Sequence, residues 1–144
     1  MIAIDTNILV YAHRRESRFH TQASQLVNGL AEGQALWSIP WPCLYEFFSV
    51  VTHPRIWKDT ATPPTLAAEQ ISAWVQSPSV SLLNETAGFY TVLESLISRP
   101  RVRGPIVHDA RIAALCLAHG IDELLSKDRD FLLFPELKSR DPFQ

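Results

Sequence analysis

The chain switches repeatedly between short apolar runs of β character and longer stretches with helical spacing, and that alternation restricts the fold more than any other property. Met1–Ile4 is apolar and β-compatible. Ser17–Leu30 then sets Phe19, Ala23, Leu26, Val27 and Leu30 at helical intervals, with Gly33 as a stop. Ala35–Ile39 reads as a second strand. Pro40 and Pro42 bracket the start of a helix reaching His53, since proline is tolerated in a first helical turn. Ile56–Pro64 reads as a loop. Beyond it, Thr65–Gln76 is helical, Val80–Leu83 a third strand, Glu85–Ser98 helical, and Arg99–Pro105 a basic loop. His108–His119 is helical with Gly120 behind it, Glu123–Ser126 is a fourth strand, and Asp130–Phe134 forms a short helical turn.

Such alternation predicts an α/β fold in which right-handed crossovers place helices on both faces of a central parallel sheet. In sheets of this kind ligands sit outside the carboxyl ends of the strands. No repeat or linker divides the 144 residues, and a hydrophobic content of 47% suffices for one core, so residues 1–144 read as one domain. No run approaches the ~20 apolar residues of a membrane span. No basic n-region precedes Asp5, so a secretory signal is not expected. Cys43 and Cys116 lie apart in apolar surroundings without CxxC spacing, and read as reduced core thiols of a cytoplasmic protein.

Four acids stand beside apolar runs: Asp5 after Met1–Ile4, Glu46 within Leu44–Val51, Asp109 before Ala110–Ala118, and Asp128 after Leu124–Lys127. Carboxylates in such places are costly to dehydrate unless a positive charge meets them. A divalent metal ion, which prefers oxygen ligands and promotes hydrolysis of phosphate esters, answers that need. Each acid has a structural reading as well. Asp5 suits the cap of a helix starting at Thr6 or Asn7, Asp109 the cap of Ala110–Ala118, and Asp128 with Asp130 a solvated turn. Glu46, with Ser49 and His53, suits a surface stripe on an otherwise apolar helix.

Net charge is −2, yet the cations are grouped. Arg14, Arg15 and Arg18 follow Asp5; Arg55 and Lys58 follow Glu46; Arg99, Arg101 and Arg103 precede Asp109; Lys127 and Arg129 flank Asp128. An anionic polymer held near a metal site would use that layout, although solvated charge explains any one cluster equally well. His108 either orients Asp109 or faces solvent. No HExxH, GxSxG, P-loop or GxGxxG occurs, which leaves zincin, serine-nucleophile and nucleotide-cradling chemistries without support.

Taken together, Ile2–Ala12 with its Asp5-Thr6-Asn7, the Glu46-Phe47 pair, His108–Ala114 and Leu124–Phe131 resemble a PIN-domain ribonuclease, more narrowly a VapC-type toxin of a bacterial toxin–antitoxin pair. The resemblance spans Met1 to Pro142. It implies a three-layer α/β/α sandwich with Asp5, Glu46, Asp109 and Asp128 as catalytic acids, Asp5 and Asp109 as the most direct ligands of Mg²⁺ or Mn²⁺, and Glu46 positioning or deprotonating the water. Asn7 matches the polar residue that steadies the site. Ser126 stands where the family more often has Thr, and Asp130 competes with Asp128 for the fourth role. The resemblance also implies an RNA substrate, a homodimer and a VapB-like antitoxin. Trp37, Trp41, Trp57 and Trp74 serve either an interface or the core. A haloacid-dehalogenase-like phosphohydrolase would carry Asp where this chain has Asn7. A phosphoreceiver leaves no place for Glu46, and a non-enzymatic binding module has no need of all four acids.

Overall fold

The computed structural model describes residues Met1 to Gln144 as five parallel strands, β1 (Ile2–Ile4), β2 (Trp37–Pro40), β3 (Val80–Leu83), β4 (Glu123–Leu125) and β5 (Ser139–Arg140). They lie in the order β3-β2-β1-β4-β5. Seven helices intervene: α1 (Thr6–His13) and α2 (His20–Glu32) after β1; α3 (Trp41–Val51), the single turn α4 (Pro54–Trp57) and α5 (Pro64–Val75) after β2; α6 (Phe89–Ile97) and α7 (Ile106–Ala118) after β3. Two crossovers step one way along the sheet and the third steps back over β2 and β1. Right-handed connections therefore put α1 to α5 on one face and α6 with α7 on the other. Packing agrees: α1 meets α2 and α3, α3 meets α5, and α6 meets α7.

Covered on both faces, the central strands are mostly apolar. Ala3, Ile4, Trp37, Ile39, Leu124 and Leu125 are all buried. Their two buried polar residues are satisfied: the Ser38 hydroxyl donates to Ile2 O at 3.0 Å, and Glu123 accepts from Arg140 Nε at 3.0 Å. Trp37 and Trp74 belong to this core, whereas Trp41 is half-buried and stacks on the exposed Tyr45. Trp57 donates its indole N–H to Val50 O at 2.7 Å and lies under the Arg14 guanidinium, 3.9 Å from its ring centroid.

Several elements differ from those read off the sequence. The chain enters α1 directly at Thr6, the start that the capping reading of Asp5 allows, although Ile8–Tyr11 alone is too short an apolar run to distinguish helix from strand. Residues 56–64 hold the end of α4 and a 3₁₀ turn, Lys58–Thr60, rather than a plain loop. Helix α6 starts at Phe89, not Glu85, and α7 starts at Ile106, not His108. Strand β5 has no signature in the sequence: two polar residues carry no periodicity, yet Ser126 N donates to Arg140 O at 3.0 Å and fixes the edge. Gly120, at φ +67°, supplies the left-handed residue that ends α7, as a chiral side chain there would be strained.

Candidate metal centre

The order β3-β2-β1-β4-β5 reverses direction between β1 and β4, and the carboxyl ends of those two strands form the crevice where such sheets bind ligands. Asp5 leaves β1 at this point, its N–H held by Leu125 O at 3.1 Å. Its backbone occupies the cap position of α1, but its side chain makes no cap hydrogen bond. Instead Oδ2 accepts from Ser126 Oγ at 2.6 Å and Asn7 Nδ2 at 3.0 Å, while the Cys43 thiol donates to Oδ1 at 3.6 Å. Only 4% of Asp5 is exposed, so it faces the crevice, not solvent.

Ser126 ties this acid to the next one. Its Oγ also accepts from Asn7 Nδ2 at 3.2 Å and from the Asp128 N–H at 2.9 Å, and Asn7 Oδ1 in turn accepts from Lys127 N at 3.2 Å. Asp128 Oδ1 accepts from Asp130 N at 2.8 Å, which starts the 3₁₀ turn Arg129–Leu133 and brings both carboxylates round to the same side. Asp109 is the fourth residue of α7, inside the first turn rather than at the cap, and so reaches over the β4 end from the opposite face. Carboxylate oxygens of Asp109, Asp128 and Asp130 lie within 4.8 Å of one another. Asp5 stands beside that trio rather than in it. Glu46, half-exposed on α3, accepts a hydrogen bond from Thr6 Oγ1 at 2.8 Å through Oε2. His108 is exposed and bonds to none of them.

Charge is uncompensated here. None of the five acids has a salt-bridge partner; the chain's ion pairs lie elsewhere, for example Lys127–Asp141 at 2.7 Å and Arg140–Glu123 at 3.0 Å. Burial pushes the Asp5 carboxyl up from 3.8 to about 6; hydrogen bonds from Ser126 and the Thr6 backbone hold it down and the negative charge of Glu46 raises it. Burial likewise lifts Asp109 from 3.8 to about 7, aided by repulsion from Asp128, Asp5, Asp130 and Glu46. The Cys43 thiol is also pushed well up by burial, so it stays protonated as a donor to Asp5. Packed oxygen donors with an excess of negative charge fit a hard divalent cation, which would reverse both carboxyl shifts.

The cationic clusters divide into two sets. Helix α1 runs roughly 12 Å away from Asp5. Arg14 is therefore distant from the acids, pairing with Glu16 and donating to Thr60 O at 2.8 Å. Arg101 and Arg103, in the loop before α7, and Arg129, between Asp128 and Asp130 in sequence, are exposed and form no ion pair. Arg99 is engaged by Glu136.

A crevice at the β1/β4 switch point, edged by carboxylates from four elements, is the hallmark of one family: residues 2–137 match the PIN domain, and the chain belongs to that family. It is 36% identical over 139 residues to Ribonuclease VapC48 of Mycobacterium tuberculosis, covering 96% of this chain and 95% of that one. VapC ribonuclease Mb2897 of Mycobacterium bovis is 30% identical over 142 residues, covering 99% and 95%. Among solved structures, VapC20 of Mycobacterium tuberculosis superposes with a TM-score of 0.66 at 18% identity, covering 92% of this chain and 93% of that one.

Proposed function

We propose that residues 1–144 act as one nuclease domain, a metal-dependent endoribonuclease serving as the toxin of a type II toxin–antitoxin pair in the cytoplasm. One observation carries this reading: five acids from four separated segments meet at the strand-switch crevice with no cation of the chain to balance them. The relatives named as VapC ribonucleases across nearly the whole length support RNA as substrate. Arg101, Arg103 and Arg129, exposed and unpaired sequence neighbours of Asp109 and Asp128, suit a phosphate backbone.

Asp5 and Asp109, the two acids whose carboxyls are raised most, are the most direct ligands for Mg²⁺ or Mn²⁺, with Asp128 completing the set and Asp130 beside it. The bound cation supplies Lewis-acid activation of water and neutralises charge developing on the scissile phosphate. Ser126 and Asn7 fix the orientation of Asp5 beside the Asp109, Asp128 and Asp130 carboxylates. Glu46, across the crevice on α3, takes the proton of the attacking water, and the leaving 3′ oxygen is protonated from solvent, giving 5′-phosphate and 3′-hydroxyl ends. Arg101, Arg103 and Arg129 hold the flanking phosphates.

Tyr45 and Tyr90, at 62% and 64% exposure, leave apolar surface of the kind a homodimer buries. A VapB-like antitoxin covering the acidic crevice would hold the enzyme inactive. The decisive experiment compares RNA digestion by the wild type and Asp5→Asn, with Mn²⁺ or with EDTA. Cleavage lost in EDTA and in the variant, with an unchanged circular dichroism spectrum, supports the reading; an undiminished rate in either arm refutes it.

A further inference from the structure

Glu46 projects from α3 as a carboxylate with a single hydrogen-bond partner, and that partner is the hydroxyl of Thr6, forty residues earlier in the sequence and at the first position of α1. No lysine, arginine or histidine approaches Glu46 closely enough to form an ion pair. We propose that Thr6 is a positioning residue for the reaction, fixing Glu46 by one oxygen so that the other is presented to the attacking water. This rests on the reading of Glu46 as the proton acceptor.

Three features make Thr6 suited to the task. Its residue is buried to within 9% of complete, next to the buried Asp5, so the methyl and the hydroxyl are held by packing. A β-branched side chain at the start of a helix has few χ1 choices, and the hydroxyl direction is thereby set by the backbone. The donor is neutral: it orients the carboxylate at Oε2 without cancelling the charge, which a lysine or arginine at the same distance would do. Because α1 and α3 start at adjacent strands β1 and β2, this one bond also locks the Asp5 arm of the crevice to the Glu46 arm. Glu46 is half-exposed and its long side chain would otherwise sample several rotamers.

The test is a cycle on the full chain with Mn²⁺ and a short RNA, combining Thr6→Val, Thr6→Ser and Glu46→Gln. Thr6→Val, which keeps shape and loses the hydroxyl, is expected to lower kcat about tenfold, less than the about 10²–10⁴ that loss of the acid–base group itself costs. KM and Mn²⁺ affinity by calorimetry stay unchanged. Thr6→Ser, which retains the donor, returns kcat to within about threefold of wild type. In the Glu46→Gln background Thr6→Val causes no further loss, since its effect passes through the missing carboxylate. Full activity in Thr6→Val, an equal loss in both backgrounds, or no recovery with Thr6→Ser would overturn the positioning role. A wild-type rate in Glu46→Gln alone instead overturns the reading of Glu46 itself. Should Thr6→Val fail to fold, judged by its thermal transition, Thr6→Ala takes its place in the same cycle and is decided by the same outcomes.

Discussion

Asp5 makes the metal-free protein less stable as the solution becomes more alkaline, and the size of that effect follows from the crevice. Its carboxyl holds a proton up to about pH 6 in the fold, against 3.8 for an ordinary aspartate. Between those values the native state binds more protons than the unfolded chain, so unfolding free energy falls as pH rises through the window. About two decades of proton affinity, at about 1.4 kcal/mol each, amount to about 3 kcal/mol lost by pH 8. Asp109, raised to about 7, has the same sign and extends the decline upward. Asp5→Asn keeps the size and removes the titration. In EDTA it should match the wild type near pH 4 and exceed it at pH 8 by up to about 3 kcal/mol, or about 6–12 °C in Tm at the ~2–4 °C per kcal/mol of a chain this size. Saturating Mn²⁺ reverses the order, because at a hundredfold excess over Kd a ligand adds about 2.7 kcal/mol to the protein that binds it. Thermal melts by circular dichroism at pH 4, 6 and 8, with EDTA and with Mn²⁺, read all of this. A variant no more stable than wild type at pH 8 in EDTA would refute the claim that an uncompensated buried charge governs this site.

Proton release on metal binding makes the apparent Mn²⁺ affinity climb from pH 5 to pH 8, as Asp5 and then Asp109 ionise; calorimetry in buffers of different ionisation enthalpy counts the protons, and a pH-independent affinity contradicts the shifts. Ser126→Ala removes the hydroxyl donor to Asp5 and strands the Asp128 N–H, and should weaken Mn²⁺ binding about 10–100-fold, as loss of supporting partners does elsewhere. Asp128→Asn and Asp130→Asn each lower Mn²⁺ affinity if both carboxylates reach the ion; an unchanged value for one removes it from the ligand set. Arg101→Ala, Arg103→Ala and Arg129→Ala, in the Asp5→Asn background, each reduce the salt slope of RNA binding by about 1, read by anisotropy, whereas Arg15→Ala at the distant end of α1 leaves the slope intact.

The sequence made the strand-end acids visible because a charge beside an apolar run is conspicuous, and β1 to β4 were visible for the same reason in reverse. What stayed hidden lacked either signal. Strand β5 is two polar residues that pair only because Ser126 and Arg140 meet across the sheet edge. Helix α1 follows so closely on β1 that its apolar residues merge with the strand. The link from Thr6 to Glu46 involves a neutral hydroxyl, and no local pattern announces a partner forty residues away. Asp130 competes with Asp128 on sequence alone, and the structure gathers both with Asp109 because the 3₁₀ turn brings residues two apart to one side. Arg14 shows the opposite failure: its proximity to Asp5 in sequence suggests a shared role, but a helix lies between them.

The β4–β5 edge gives synthesis of the chain a particular ending. Ser126, which cross-braces Asp5 and Asp128, takes its own backbone anchor from Arg140, and Lys127 takes its ionic one from Asp141. A nascent polypeptide still short of those residues holds its acids on an unsecured loop. Ribosomes translating this message would thus be spared a finished cutting edge until Arg140 and Asp141 have emerged.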